Sequence, residues 1–300
     1  MKMSGWPRVA VIVLNWKGLA DTCECLQALQ TVTYPNYRII VVDNGSGGDD
    51  VRVLQERFGD SVHIIENDRN YGFGGGCNIG MTYAFDWGVD YVLLLNNDTV
   101  VDPAFLSGLV RAAEQFPEAA AFCPRICHYH QPRLLRSTGG RVNPWTGMAW
   151  QVRHDRPDDG GYDSVGERDF VDGACMLIRR SALERVGLLD EDYFTYWEEA
   201  DWCDRAWEAG MKSYYVPSAR IWQKSAGPFT HPADRNFLFR RNTFLFLRKR
   251  KRAYHLVTAM LFHLFVLAPL HLVRHPAALG RLITEGRALL WHLTNPVRRR

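Results

Sequence analysis

Leu93-Leu94-Leu95-Asn96-Asn97-Asp98 is the stretch on which the reading of this chain turns. With Tyr91 and Val92 before them, the leucines read as a buried strand that ends abruptly in two amides and a carboxylate. In an open α/β sheet, ligands bind at the carboxyl ends of the strands. Oxygen ligands placed there suit a hard divalent cation and the phosphates it carries. Taken alone, the six residues read more readily as a polar turn towards Pro103, with Asp98 or Asp102 capping the next helix. The neighbouring strands decide between the two.

Residues 9–14 form a continuous β-branched run ending at Asn15, and residues 38–42 a second run ending in Asp43-Asn44-Gly45-Ser46. A short third strand, 63–66, passes into Asn67-Asp68-Arg69-Asn70. Apolar runs of this kind belong to strands buried on both faces of a mainly parallel sheet. Helical patterns at 18–30 and 50–58 separate them, and Tyr71-Gly72-Phe73-Gly74-Gly75-Gly76-Cys77-Asn78-Ile79-Gly80 reads as a glycine-rich loop opening a helix as far as Trp87. The alternation predicts an α/β fold, a doubly wound, mainly parallel sheet with right-handed crossovers flanked by helices. Asn15, Asp43 and Asp98 then gather on one rim.

Beyond the rim, a helix is expected at 103–116 and a strand at 119–123, followed by an irregular β-hairpin over the site at 134–152. Residues 155–168 read as a mobile loop and 170–178 as a returning strand. Carboxylates then cluster at Glu191, Asp192, Glu198 and Glu199, with Asp201 and Asp204 close behind and a helix at 202–209 closed by Gly210.

The chain has 300 residues, 47% hydrophobic and 23% charged, enough for one large α/β domain with an appendage. Seven cysteines, an odd number, argue against a disulfide framework and for a reducing compartment. Cys123-x3-Cys127-His128-Tyr129-His130 has zinc-binding residue types, but its spacing matches no common paired-ligand pattern. No signal-peptide pattern is read after Lys2, and the body is expected in the cytoplasm. A dinucleotide site is disfavoured, because the first strand-helix turn, Asn15-Trp16-Lys17-Gly18, has no glycine cluster.

Charge is distributed unevenly. From Asn236 onwards thirteen Lys/Arg stand against Glu285, a balance of +12; with +3 for the whole chain, residues 1–235 carry −9. The division expected is therefore a catalytic body, 1–235, and a basic helical extension, 236–300. The run 248–252 is followed by 256–273, which lacks Lys, Arg, Asp and Glu, and by an apolar stripe of Leu279, Leu282, Ile283, Leu289, Leu290 and Leu293. Peripheral membrane contact through 248–294 is expected, with basic flanks favouring anionic lipid. Packing on the body and a true span stay open.

The ordered set of Asn15-Trp16, Val42-Asp43-Asn44-Gly45-Ser46, Asn70–Gly80, Leu95-Asn96-Asn97-Asp98, Trp197-Glu198-Glu199-Ala200-Asp201-Trp202-Cys203 and Arg241-Asn242 resembles the family 2 glycosyltransferases. Within them the chain is similar to the rhamnosyltransferase-like branch of bacterial surface-polysaccharide assembly, over about residues 8–250. The resemblance implies a GT-A fold, a nucleotide-sugar donor (dTDP- or UDP-linked), Mg2+ or Mn2+, and inversion at the anomeric carbon. It also implies a glycan or lipid-linked acceptor at the inner face of the cell membrane. Carried over, Asn15 and Asp43 contact base and ribose, while Asn70, Gly72, Asn78 and Asn97 belong to the nucleotide pocket. Asp98 binds metal, Glu199 is the general base, with Glu198 or Asp201 as substitutes, and Trp197 walls the sugar pocket.

Three departures stand out. One carboxylate, Asp98, occupies a motif that commonly carries two. The base is Glu instead of Asp. Gln223-Lys224 stands where relatives carry a histidine, which leaves Gln223 as a candidate metal ligand and Lys224 as a candidate phosphate partner. A catalytically silent nucleotide-sugar-binding protein and a nucleic-acid-binding protein using the basic tail are the competing readings. No nucleic-acid partner is expected.

Overall fold

The computed structural model describes residues 5–224, 232–270 and 279–295; a few side chains in the last helix are outside the described set. Its parallel half follows the expected alternation: β1 (Val9–Asn15), α1 (Leu19–Leu29), β2 (Tyr37–Asp43), α2 (Asp50–Phe58), β3 (Val62–Glu66), α3 (Gly72–Phe85) and β4 (Tyr91–Asn96). These strands lie in the order β4-β1-β2-β3, all parallel. Pairing sets Asn15 beside Asp43 and Leu14 beside Asn96, so the polar strand ends share one rim.

Alternate residues of each strand feed two separate cores. Ile12, Ile40, Val42, Val92 and Leu94 pack on one face, while Val11, Val13, Ile39, Val41, Leu93 and Leu95 pack on the other. Burial on both faces explains why the strands read as unbroken apolar runs.

The other half is mixed. After β5 (Thr99–Val101) and α4 (Phe105–Gln115) comes β6 (Ala119–His128), five residues longer than the strand expected at 119–123. β7 (Leu134–Ser137) pairs with β6, and β8 (Gly140–Asn143) with β9 (Met148–Gln151) forms the hairpin. The short strands β10 (Arg156–Pro157) and β11 (Gly166–Arg168) bracket the segment expected to be a mobile loop. Between those strands the segment is irregular but anchored from below. Buried Arg125 holds Asp158 at 2.7 Å, Asp163 at 2.5 Å and the Tyr162 carbonyl at 3.2 Å.

The returning strand is β12 (Cys175–Arg179), shorter than 170–178 and antiparallel to both β4 and β6. α5 (Arg180–Val186), a 3-10 turn (Glu191–Tyr193) and α6 (Glu198–Glu208) follow. β13 (Lys212–Gln223) runs parallel to β6 and antiparallel to β5, setting Gln223 beside both His128 and Thr99.

α7 (Pro232–Arg250) buries Phe244, Leu245, Phe246 and Leu247 in the core that holds Trp197 and Trp202. The basic run lies at its end and is largely spent inside the protein. Lys249 pairs with Asp190 and Asp192 at 2.6 Å each, Lys251 with Asp204 at 2.5 Å, and Arg250 with Glu208. Arg248 donates to the carbonyls of His292 and Asn295. The expectation of free basic flanks for anionic lipid is corrected for these residues: three of the five side chains of the run are paired with acids of the body, while Arg252 stays exposed.

α8 (Ala253–Phe262) continues through a π-helical turn (His263–Leu267), and α9 (Leu279–Thr294) packs on α7 through Thr284, Ala288 and His292. Ile283 and Leu290, members of the expected apolar stripe, face outward. The side chains of Leu279, Leu282, Leu289 and Leu293 lie outside the described residues, as does all of 271–278.

Candidate functional site

The rim of the parallel half is a closed polar network. Buried Asn15 donates through Nδ2 to Asp43 Oδ1 (2.7 Å), Asp50 Oδ2 (3.0 Å) and Ser46 Oγ (3.1 Å), and its Oδ1 accepts from Thr22 Oγ1 at 2.7 Å. Asn97 Nδ2 reaches the same Thr22 hydroxyl at 2.8 Å. Asp43 also accepts from the Ser46 amide at 3.0 Å. Asn15, Asp43 and Asn97 are thus one assembly. Strand ends supply two of them, and the first turn of α1 bridges to the third.

Asp98 has other partners. The chain turns at Asn97-Asp98 into β5, which pairs with β13 and sets Asp98 against Gln223. There Gln223 Nε2 donates to Asp98 Oδ1 at 3.1 Å, while Arg136 Nε donates to Gln223 Oε1 at 2.6 Å. An arginine can only donate, so the Gln223 carbonyl must face Arg136 and its NH2 must face Asp98. As arranged, Gln223 clips the carboxylate and does not offer it a partner oxygen for a cation. This corrects its candidacy as a metal ligand. Burial raises the Asp98 carboxyl above its ordinary range, with the Gln223 hydrogen bond and nearby Arg136 opposing. A single buried carboxylate is a donor set that fits Mg2+, which is commonly held by one or two carboxylates with the rest supplied by substrate phosphates and water.

Lys224 is not free for phosphate. Its Nζ lies 2.7 Å from Asp21 Oδ1 and 2.5 Å from Glu24 Oε2, and these two acids of α1 raise its pKa against the cost of burial.

The glycine-rich segment is corrected from loop to helix. Gly72 opens α3 at φ +77°, where a Cβ would strike the Phe194 carbonyl. The helix-start amides are already engaged: Gly72 N–H with Asn70 Oδ1 (2.8 Å), Phe73 N–H with the Phe194 carbonyl (2.6 Å). Gly76 and Gly80 lie inside the helix against β1 and β2; a Cβ on Gly80 would sit 2.7 Å from Ile12 Cγ2. The glycines let helix and sheet approach closely.

Asn70 is joined to Asn44, whose Nδ2 donates to Asn70 Oδ1 at 3.0 Å. Asn78 is committed to the chain leading towards α6. It donates to the Leu189 carbonyl and Glu191 at 2.9 Å and accepts from the Leu189 amide at 3.0 Å.

The carboxylates of α6 are sorted by the helix start. Four residues earlier than the helix expected at 202–209, α6 places Glu198 and Glu199 in its first turn. Phe194, Tyr196 and Trp197 before it have φ of +66°, +68° and +79°, values that cost L-residues strain and persist only when held. Asn242 of α7 holds them. Its Nδ2 lies 2.9, 2.7 and 2.7 Å from the carbonyls of Tyr193, Thr195 and Tyr196, and Arg241 donates to Tyr193 at 2.7 Å.

Asp201 is spent as structure, accepting from Tyr193 Oη at 3.1 Å and pairing with Arg205 at 2.8 Å. Glu198 is buried with Oε2 lacking a partner among the described residues, and burial beside Glu199 drives its pKa well up. Trp197 is 3% exposed and packs 5.0 Å from Phe246 and 6.0 Å from Phe239. It packs in the core behind the carboxylates, so little of its ring is exposed to wall a sugar pocket.

Glu199 alone of the three is part-exposed. Its side chain lies 3.8 Å from where a Gly173 Cβ would be, and Ala174 next door accepts from the Asn96 amide at 2.9 Å. The turn before β12 therefore carries the Glu199 side of the crevice to the end of β4. Burial raises the Glu199 carboxyl to about 7, opposed by helix-start amides and reinforced by Asp172. A carboxylate titrating there is suited to accept a proton at neutral pH.

Sequence reasoning missed Arg136, Asn44 and Gly173, which carry no local signal. Arg241-Asn242 was visible as a pair without a role.

Comparisons with known proteins identify the family and the fold. The family model described as glycosyl transferase family 2 matches residues 9–187. An N-acetylglucosaminyl-diphospho-decaprenol L-rhamnosyltransferase of Mycobacterium tuberculosis is 29% identical over 75% of this chain and 79% of its own length. Rhamnosyltransferase WbbL of Escherichia coli K12 is 27% identical over 72% and 84%. Among solved structures, mannosyltransferase PcManGT of Pyrobaculum calidifontis, crystallised with GDP-Man and Mn2+, superposes with TM-score 0.59 at 16% identity, covering 98% of this chain and 77% of that one. Its fold is the GT-A arrangement seen here. The family match spans the strand-end network and Asp98, and the chain belongs to glycosyl transferase family 2.

Proposed function

We propose that this glycosyltransferase transfers a deoxyhexose such as rhamnose, with inversion, from a nucleoside-diphosphate donor to a hydroxyl of a lipid-linked glycan. The observation that carries the reading is Glu199, part-exposed with its pKa near 7 at the crevice that Ala174 joins to the Asp98 strand end. Asn15, Asp43 and Asn97 receive base and ribose, and Asn70 and Gly72 shape that pocket through Asn44. Asn78 anchors its floor to the chain before α6.

In a single displacement, the acceptor oxygen bonds to the anomeric carbon as the bond from that carbon to the β-phosphate oxygen breaks. The electron pair leaves with the nucleoside diphosphate, and the hydroxyl proton passes to a Glu199 carboxylate oxygen. Asp98 would hold Mg2+ or Mn2+, which supplies charge neutralisation to the departing diphosphate. Arg136, held beside Asp98 through Gln223, adds a fixed positive charge. The rhamnosyl donor is supported by the rhamnosyltransferases of Mycobacterium tuberculosis and Escherichia coli, and the lipid-linked acceptor by the diphospho-decaprenol acceptor of the former.

Within this reading the division expected at 235/236 moves to the end of α7, whose residues 244–247 and Asn242 belong to the catalytic body. The membrane-facing part begins at α8, at the cytoplasmic face of the cell membrane. Ala253–Leu270 is long and apolar enough to cross a membrane by length and composition, and little of it is buried. Leu261, Leu264 and Phe265 are exposed, as are Ile283 and Leu290 of α9. Trp145 at the β8–β9 turn stacks on Tyr254 at 5.5 Å and extends the apolar face. Lipid contact here is chiefly apolar, because most of the basic run is internally paired.

A thermal-shift panel of dTDP-, UDP- and GDP-sugars with and without Mn2+ tests the donor. A dTDP-deoxyhexose is expected to give the largest Mn2+-dependent rise in Tm. Equal shifts for every nucleotide-sugar, unaffected by Mn2+, would contradict it.

A further inference from the structure

One group of side chains outside the transfer chemistry gathers where β6 ends. His128, His154 and Asp155 place two ring nitrogens and a carboxylate within 4.8 Å of one another. His128 Nε2 lies 2.8 Å from Asp155 Oδ1, and His154 Nε2 lies 3.5 Å from Asp155 Oδ2. Zinc bonds of ~2.0–2.1 Å at tetrahedral angles set neighbouring ligand atoms roughly 3.3 Å apart. The two carboxylate spacings bracket that value, so a metal would draw these side chains together by rotamer adjustments of up to about an ångström.

The protonation pattern also fits. His154 Nδ1 lies 2.8 Å from the Arg136 carbonyl oxygen. A carbonyl only accepts, so Nδ1 carries the proton and Nε2 keeps its lone pair facing Asp155. A backbone carbonyl behind an imidazole is the contact that fixes tautomer and ring orientation in metal-bound histidines.

Backbone geometry presents the carboxylate. Arg153 and Asp155 have φ of +64° and +56°, and the Asp155 amide is tied to the Leu135 carbonyl at 2.9 Å. Two non-glycine residues in the left-handed region within one turn are strained, and the strand pairing at β7 holds them. His128 and Asp155 line a cavity of about 480 Å³ with Tyr129, His130, Gln223 and Lys224. A fourth coordination position would open into it.

We propose that His128, His154 and Asp155 bind one borderline divalent cation of the zinc class, at a site distinct from Asp98. Two imidazoles and one carboxylate favour zinc over Mg2+, which prefers oxygen throughout. The cysteines that made the 123–130 run look zinc-like take no part. Cys123 and Cys127 are buried in β6, and burial raises both thiols, Cys123 to about 12. Bound metal would pin the turn after β9 to the end of β6, one residue across from Gln223. The site therefore ties the wall that carries Arg136 to the strand that clips Asp98.

Calorimetric titration of the chelator-treated full chain with Zn2+ alone, without donor, tests the site. One Zn2+ per chain is expected, with affinity falling at least about tenfold in His154→Ala and in Asp155→Asn, and unchanged in Asp98→Asn. All three ligands lie at the surface or partly so, and the Tm of each metal-free variant checks that folding is retained. Substitution by Co2+ provides a second readout, a tetrahedral visible spectrum present in the wild type and lost in both variants. Zn2+ affinity equal in wild type and His154→Ala, or lost only in Asp98→Asn, would overturn the proposal whatever the donor proves to be.

Discussion

The two sides of the crevice are built on opposite terms. On the parallel side, Asn15, Asp43, Asn97, Thr22 and Ser46 satisfy one another, and their strands lie in extended backbone. On the α6 side, three consecutive-region residues sit at positive φ, Glu198 Oε2 and Trp197 Nε1 lack partners among the described residues, and two carboxyls are pushed towards neutrality. A satisfied network can receive a nucleotide without rearranging. A desolvated carboxylate can take a proton at neutral pH only because burial has raised its pKa. The stability given up at α6 is what makes it reactive.

The contrast breaks first at the base. Glu199→Gln is expected to lower turnover about a hundred- to ten-thousandfold while donor affinity holds, measured by initial rates alongside nucleotide-sugar titration. Next comes the clamp. Asn242→Ala removes the donor to three carbonyls and releases the strained turn, so kcat should fall about 10- to 100-fold through misplacement of the base. Its donor Kd should be unchanged, because the parallel side does not depend on Asn242. A variant that loses donor affinity and keeps kcat would erase the distinction between the two sides.

On the satisfied side the sensitive feature is packing. Gly80→Ala puts a Cβ 2.7 Å from Ile12 Cγ2. About 1–3 kcal/mol of overpacking should outweigh about 1 kcal/mol of helix propensity gained, and thermal unfolding should show a lower Tm. The smallest effect concerns Glu198. Its folded-state pKa is raised, so the native state holds a proton that the unfolded chain releases, and stability falls as pH rises from the ordinary glutamate range through the folded value. The Tm of Glu198→Gln should therefore gain on wild type as pH rises above the ordinary glutamate range; a gap that narrows as pH rises from there would be the wrong sign.

The satisfied side was also the legible one. Apolar runs ending in Asn15, Asp43 and Asp98 announce strands, and parallel order follows from the helices between them. What happens after Asn96 was not legible, because the turn into β5 depends on pairing with β13 more than a hundred residues later. Arg136 was invisible for the same reason: its partner Gln223 is 87 positions away. Turn chemistry suggested a loop at Gly72–Gly80, whereas the deciding fact is how closely α3 lies on Ile12 and Val42. The basic run read as a lipid-binding flank because its acidic partners at 190–208 are distant in sequence.

The pH dependence of kcat/KM, set against that of donor binding, tests the central assignment most directly. With Glu199 as base and its carboxyl near 7, kcat/KM should rise about tenfold per pH unit below that value and level off above it, while donor Kd stays flat. A rate that is flat or falling across the same interval would contradict the account.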